Sequence, residues 1–179
     1  GKVKIAVDPE RAGKFAVLVR IPEWALNRPL PSDLYRYLDT KDEKPALSVN
    51  GSPMELVMEN GYVRLHRKWT AGSVIELDLP MSVHKVLAHD LVQDDKGRVA
   101  LERGPLVYCA EWPDNGGLVS NLVLEDSFPL VAERRHDLLN GITVIKGEAL
   151  ALSKGKKGAS AVAKKQSFVA IPYYAWAHR

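Results

Sequence analysis

The sequence predicts an all-β protein built as two tandem antiparallel β-sandwich domains. Apolar residues recur with a period of two rather than 3.6, as strands with one buried face require. Val occurs nineteen times and Ile six, and β-branched side chains suit a pleated, half-buried surface. Turn signals built on Gly, Pro, Asn and Asp punctuate the chain every eight to twelve residues, the spacing of short sandwich strands. Roughly a dozen strands exceed one sandwich, so the reading divides the chain into a first sandwich over residues 1–84 and a second over residues 85–179.

Val3, Ile5 and Val7 alternate with Lys2, Lys4 and Ala6, which predicts a strand from the outset. Lys14 to Ile21 repeats the pattern through Phe15, Val17, Val19 and Ile21 and stops at Pro22. Ser32 to Leu38 is the helical candidate, with Ser32 as cap and Leu34, Tyr35 and Leu38 on one side. Ala46 to Asn50 is a strand closed by Asn50-Gly51, and the same dipeptide returns at Asn60-Gly61 with Met54 to Met58 between them. Asn and Gly tolerate the positive φ of a tight hairpin turn. Tyr62, Leu65 and Trp69 lie on the next strand, Ala71-Gly72 turns the chain, and Ser73 to Leu79 alternates up to Pro80.

The second half predicts a long strand from Val83 to Gln93, turned by Asp94, Asp95 and Gly97. Arg98 to Glu102 and Leu106 to Trp112 follow, separated by Gly104-Pro105, which a strand interior does not accept. Pro113 to Gly117 reads as a loop, and Ile142 to Leu152 and Phe168 to Tyr174 as further strands. Lys154 to Lys165 carries five lysines, no acid and no aromatic, and reads as a solvated mobile loop. The chain opens on Gly1 in mid-alternation and closes on an apolar segment, the pattern expected of a piece of a longer polypeptide.

Composition excludes several classes of function. Of 179 residues 46% are hydrophobic and 26% charged, ordinary globular usage. No apolar run reaches the ~20 residues of a spanning helix, so no membrane partner is expected. The net charge of +3 owes everything to the lysine-rich segment: without it 20 basic side chains face 22 acidic ones. A basic segment without aromatics is a poor nucleic-acid surface, and no nucleic-acid partner is expected. Cys109 is the single cysteine, which forbids an intrachain disulfide and a multi-cysteine zinc site.

Chemistry is correspondingly scarce. Cys109 lies in an apolar strand and reads as a buried, inert thiol. His84 and His89 are five apart, an offset that sends them to opposite faces of a sheet rather than to one metal. Arg64, His66 and Lys68 read as a solvated strand face. Glu102 and Glu111 flank the Gly104-Pro105 turn, and paired carboxylates are what glycosidases use, but surface glutamates on adjacent strands are commonplace and Arg103 can pair with either. The expectation is no catalytic residue, no metal and no cofactor.

A set of motifs in one order points further. Arg20-Ile-Pro-Glu-Trp24 with Ala25, Val49-Asn-Gly51, Gly61-Tyr62, Trp69 with Gly72 and Leu77-Asp-Leu-Pro-Met81 are followed by three more. These are Gly97-Arg-Val-Ala-Leu101, Arg103-Gly-Pro-Leu-Val-Tyr-Cys109 with Glu111, and Ile171-Pro-Tyr-Tyr-Ala-Trp176. None is specific alone; in this order they span almost the whole chain, which resembles the region following the catalytic barrel in glycoside hydrolase family 127, the β-L-arabinofuranosidase family. The resemblance implies that the chemistry, a cysteine nucleophile, a cysteine-rich zinc site and an acidic proton donor, sits in an upstream α/α barrel that these strands buttress. None of those positions carries over to this chain. The implied role is a non-catalytic accessory region of a plant-glycan-degrading hydrolase; the alternative is an autonomous carbohydrate-binding module.

The aromatics discriminate between the two. Trp24 and Trp69 sit at strand ends, where a large ring plugs a sandwich core. Trp112 precedes a loop, and Tyr173, Tyr174 and Trp176 form the densest aromatic cluster. Those four are the candidate contact residues, whether for the upstream barrel, a second copy of the chain or a glycan.

Overall fold

The computed structural model describes residues 1–153 and 162–178. The all-β expectation holds: strands dominate, and among the described residues helix is confined to four 3-10 turns. The chain divides into two compact units, Gly1–Met81 and Ser82–Arg179.

The first unit contains β1 (Lys2–Val7), β2 (Gly13–Arg20), β3 (Tyr35–Tyr37), β4 (Ala46–Val49), β5 (Ser52–Met54), β6 (Met58–Glu59), β7 (Tyr62–Trp69) and β8 (Ser73–Asp78). One sheet runs β1-β8-β4-β5 and another β2-β7-β6, both antiparallel. The period-two pattern sorts each strand: on β7, Val63, Leu65 and Trp69 are buried, while Tyr62, Arg64, His66 and Lys68 face water. Val19, Val63, Leu65 and Trp69 from one sheet pack with Leu47, Val49, Ile75 and Leu77 from the other in a single core. Trp69 is fully enclosed, and its indole N–H donates to the Phe15 carbonyl at 3.1 Å, so the buried polar atom is satisfied. Asn50 and Gly51 (φ 52° and 77°) and Asn60 and Gly61 (φ 51° and 81°) adopt the left-handed conformation that their sequence invites.

The helix expected over Ser32 to Leu38 does not form. Ser32 Oγ instead accepts the Leu34 N–H, and Tyr35–Tyr37 is β3. Seven residues after Pro29 and Pro31 gain too few helical hydrogen bonds to offset nucleation. Helical geometry appears earlier, at Glu23–Leu26, ended by Asn27 at φ 60°. The Asn27 side-chain amide brackets Lys41, donating to its carbonyl (2.8 Å) and accepting its N–H (3.2 Å).

The second unit contains β9 (Val83–Ala88), β10 (Ala100–Arg103), β11 (Leu106–Ala110), β12 (Leu122–Val123), β13 (Val131–Arg135), β14 (Ile142–Ser153) and β15 (Val162–Pro172). They follow the order β12-β14-β15-β11-β10-β9, with β13 also on β14. Apolar residues occupy both faces of the β14–β15 ladder. Ile145, Ala149, Phe168 and Ala170 join one cluster, while Ile142, Val144 and Ile171, of opposite parity, join another with Ala175. Gly147 marks a close crossing: a Cβ there would stand 2.6 Å from the Leu130 side chain and 2.8 Å from the Pro129 carbonyl oxygen. The buried Lys85 fastens the preceding loop, its ammonium donating to the carbonyls of Glu125 (2.7 Å), Asp126 (2.9 Å) and Phe128 (3.1 Å).

Two further expectations are corrected here. The strand expected to reach Gln93 ends at Ala88, because His89 to Gln93 makes a turn. There the Val92 N–H donates to the His89 carbonyl, the Leu91 N–H to His89 Nδ1 and the Gln93 amide to the Asp90 carbonyl. Lys164 and Lys165 are not loop residues but lie on β15. Lys165 Nζ pairs with Glu148 at 2.8 Å and stands 4.6 Å from the Phe128 ring centre. Residues 154–161 of that expected loop lie outside the described residues.

Candidate functional site

The four aromatic candidates are carried by two segments of the second unit that are tied together. The first is Glu111 to Gly117, where Trp112–Asp114 forms a 3-10 turn. Its anchor is Asn115, 2% exposed and satisfied on both sides of its amide. Nδ2 donates to the carbonyls of Glu111 and Val169, each at 2.8 Å, and Oδ1 accepts the Val169 N–H at 3.0 Å. The β11–β15 ladder ends at Ala110↔Ala170, so the Asn115 side chain continues it by one peptide's worth of hydrogen bonding. The second segment is the 3-10 turn Tyr173–Ala175, initiated after Pro172 and seated by the buried Ala175. The Ala177 N–H donates to Glu111 Oε1 at 2.9 Å and joins the two segments.

This framework leaves the large rings outward. Trp112, Tyr173, Tyr174 and Trp176 are 65%, 57%, 62% and 55% exposed. Tyr173 and Trp176 stack nearly parallel, with centroids 5.8 Å apart and planes 7° from each other. The segment Phe168 to Trp176 is thus two things: Phe168, Ala170, Ile171 and Pro172 are buried on an interior strand, and the aromatics begin where that strand stops. Beneath them the buried Tyr108 phenol is pushed above its usual range by desolvation, against the opposite pull of the Arg103 guanidinium.

The remaining candidates are placed as follows. Glu102 is opposite Val107 and His84 on its neighbouring strands, so the register does not bring it to Glu111, which is engaged with Ala177. Cys109 is half-buried rather than fully enclosed, against the cluster of Ile142, Val144 and Ile171. His84 is buried on β9, and His89 lies past its end with Nδ1 accepting the Leu91 N–H. Among the described residues no group of three or more His, Cys, Asp or Glu side chains can hold a metal ion. One cysteine does not fit a cysteine-rich zinc centre. The residues that sequence reasoning missed are the positioning ones, Asn115 above all, whose partners at Val169 lie 54 positions away. Its only signal was an Asn in a loop next to Gly116-Gly117.

The chain is similar to proteins of one kind along its whole length. The model of the GH127 middle domain of β-L-arabinofuranosidases matches residues 1–81, and that of the glycoside hydrolase family 127 C-terminal domain matches residues 83–179. A non-reducing end β-L-arabinofuranosidase of Bifidobacterium longum subsp. longum is 35% identical over 146 residues, which is 74% of this chain and 22% of that protein. A solved GH127 β-arabinofuranosidase superposes on all of this chain with a TM-score of 0.91 and 40% identity, using 28% of its own length. A GH127 β-L-arabinofuranosidase from Geobacillus stearothermophilus T6 does so with a TM-score of 0.83 and 34% identity, using 27% of its own length.

Proposed function

The chain belongs to glycoside hydrolase family 127, and on that footing we propose that it is a non-catalytic β-sandwich region of a plant-glycan-degrading enzyme, supporting an α/α barrel elsewhere in the same polypeptide. The observation that carries this reading is the exposed edge formed by Trp112, Tyr173, Tyr174 and Trp176. Exposed aromatic surface marks a contact site, because removing apolar surface from water is favourable. The similarity to hydrolases of which the chain spans 22% to 28% supports an intramolecular partner for that edge. Among the described residues no group of three or more His, Cys, Asp or Glu side chains can hold a metal ion, and the strand register does not bring Glu102 to Glu111.

The same exposed rings favour a second reading, in which the edge holds a sugar ring on Trp176 or Tyr174. One set of measurements separates them. The chain is assayed against nitrophenyl arabinofuranosides and arabinopyranosides with and without zinc, and titrated with arabinan oligosaccharides. The accessory reading expects no turnover, no heat and no quenching of Trp fluorescence. Turnover lost in Glu102→Gln or Glu111→Gln overturns it, and micromolar binding abolished by Trp176→Ala or Tyr174→Ala establishes the binding module instead.

A further inference from the structure

The outer faces of the two sheets of the first unit carry charge in opposite ways. On β1 and β8, Lys2 stands opposite Asp78 and Lys4 opposite Glu76, and Ser48 Oγ donates to Glu76 at 3.4 Å. Opposite charges across a ladder are the ordinary, mildly stabilising arrangement of a solvated face. A cavity of about 510 Å³ over this face is lined by these lysines and carboxylates together with Ser48 and Pro53.

The outer face of β2 and β7 has no such balance. It displays Lys14, Arg20, Arg64, His66 and Lys68, all exposed, and neither strand contains an acid. Lys14 is directly opposite Lys68, a like-charge pair that destabilises the ladder unless an anion sits between. Among the described residues none of the five pairs with a carboxylate; the exposed Glu59 on β6, opposite Tyr62, is an acid on the same face. Arg64, His66 and Lys68 recur every second residue, which spaces them about 7 Å apart in a straight row along the strand. Leu18 and Tyr62, 57% and 39% exposed, are large apolar surface among these basic side chains.

We propose that this face is a docking surface for a carboxylate-bearing polysaccharide, a polyuronate laid along β7. Basic side chains spread along a strand match a chain with an anion on each repeating unit better than they match a compact ion. The face of a sheet whose backbone groups are already paired offers an extended acidic peptide no main-chain hydrogen bonds, since strand addition needs an edge. A sugar ring, by contrast, has an apolar face that rests on the phenol ring of Tyr62. Arginine and lysine here hold carboxylates through exposed, charge-assisted hydrogen bonds that salt weakens. None of these residues belongs to the aromatic edge of the second unit, so the proposal stands apart from the function proposed above.

The test is binding of the 179-residue chain to polygalacturonate, to the same polymer methyl-esterified, and to poly-L-glutamate of matched length. Polygalacturonate should be retained at low salt and released as salt rises, with the esterified polymer and polyglutamate each bound at least tenfold more weakly. Arg64→Glu with Lys68→Glu should weaken polygalacturonate at least tenfold, while Lys2→Glu with Lys4→Glu, the same change in net charge on the other sheet, should alter it less than threefold. Tyr62→Ala should weaken polygalacturonate and leave polyglutamate unchanged. If circular dichroism shows the reversed variant misfolded, Arg64→Gln with Lys68→Gln takes its place. No retention, equal binding of polyglutamate, or a loss in Lys2→Glu with Lys4→Glu equal to that in Arg64→Glu with Lys68→Glu each overturns the proposal.

Discussion

In the first unit the tryptophan that ends β7, Trp69, is wholly enclosed, with its indole N–H on the Phe15 carbonyl and the Arg67 guanidinium 5.6 Å from its ring centre. In the second unit Trp112 and Trp176 also follow strand ends, yet both lie more than half in solvent. The difference follows from how each unit covers its sheets. Two sheets facing one another give a ring at a strand end a second wall to lie against. In the second unit the cluster of Ile142, Val144 and Ile171 is completed by Ala175 of the 3-10 turn, with Leu138 and Leu139 packed against it, and this cover does not extend over the rings beyond. The same side chain is therefore core in one unit and available surface in the other.

Three substitutions test that contrast, beginning with the largest effect. Trp69→Ala should destabilise the first unit by about 3–5 kcal/mol through lost burial and the cavity left behind. Denaturant unfolding would register this, and a loss under about 1 kcal/mol would mean that the core collapses freely around the site. Lys85→Met should cost about 1–3 kcal/mol, since three loop carbonyls lose their donor. Its effect should fall on the second unit, read as faster amide exchange in residues 125–130 with the first unit unchanged. Trp176→Ala should change stability by no more than about 0.5 kcal/mol, the usual range for exposed sites. It should nevertheless weaken any self-association of the chain measured by sedimentation. A stability loss comparable to that of Trp69→Ala would erase the contrast.

What the sequence disclosed was what depends on near neighbours. Asn50-Gly51 and Asn60-Gly61 were legible because a positive φ is a property of the dipeptide itself. The buried and exposed sides of β7 were legible because alternation is counted along one strand. Ser32 to Leu38 misled because three apolar residues on one side of so short a segment are equally compatible with a strand. Val83 to Gln93 misled because the turn after Ala88 is made by side chains of His89 and Gln93, whose capacity to bond the backbone carries no periodic signature. In the candidate site the exposed rings were legible as a cluster of aromatics, but Asn115 and Glu111 were not. Their roles are defined by Val169 and Ala177, which become neighbours only after the sheet has formed.

The three carbonyls gathered around Lys85 are an arrangement that elsewhere in chemistry suits an alkali-metal ion. Here the cation is tethered by a covalent stem, so it has no dissociation constant: it is neither exchanged with the ions of the medium nor stripped by a chelator. The loop at residues 125–128 is thereby closed independently of ionic composition. The arrangement is also chemically narrow. A tripod of three N–H bonds on one nitrogen is not reproduced by the planar guanidinium of arginine, and acylation of the amine removes the charge together with donors. Of the two cationic residue types, only one can do this work at position 85.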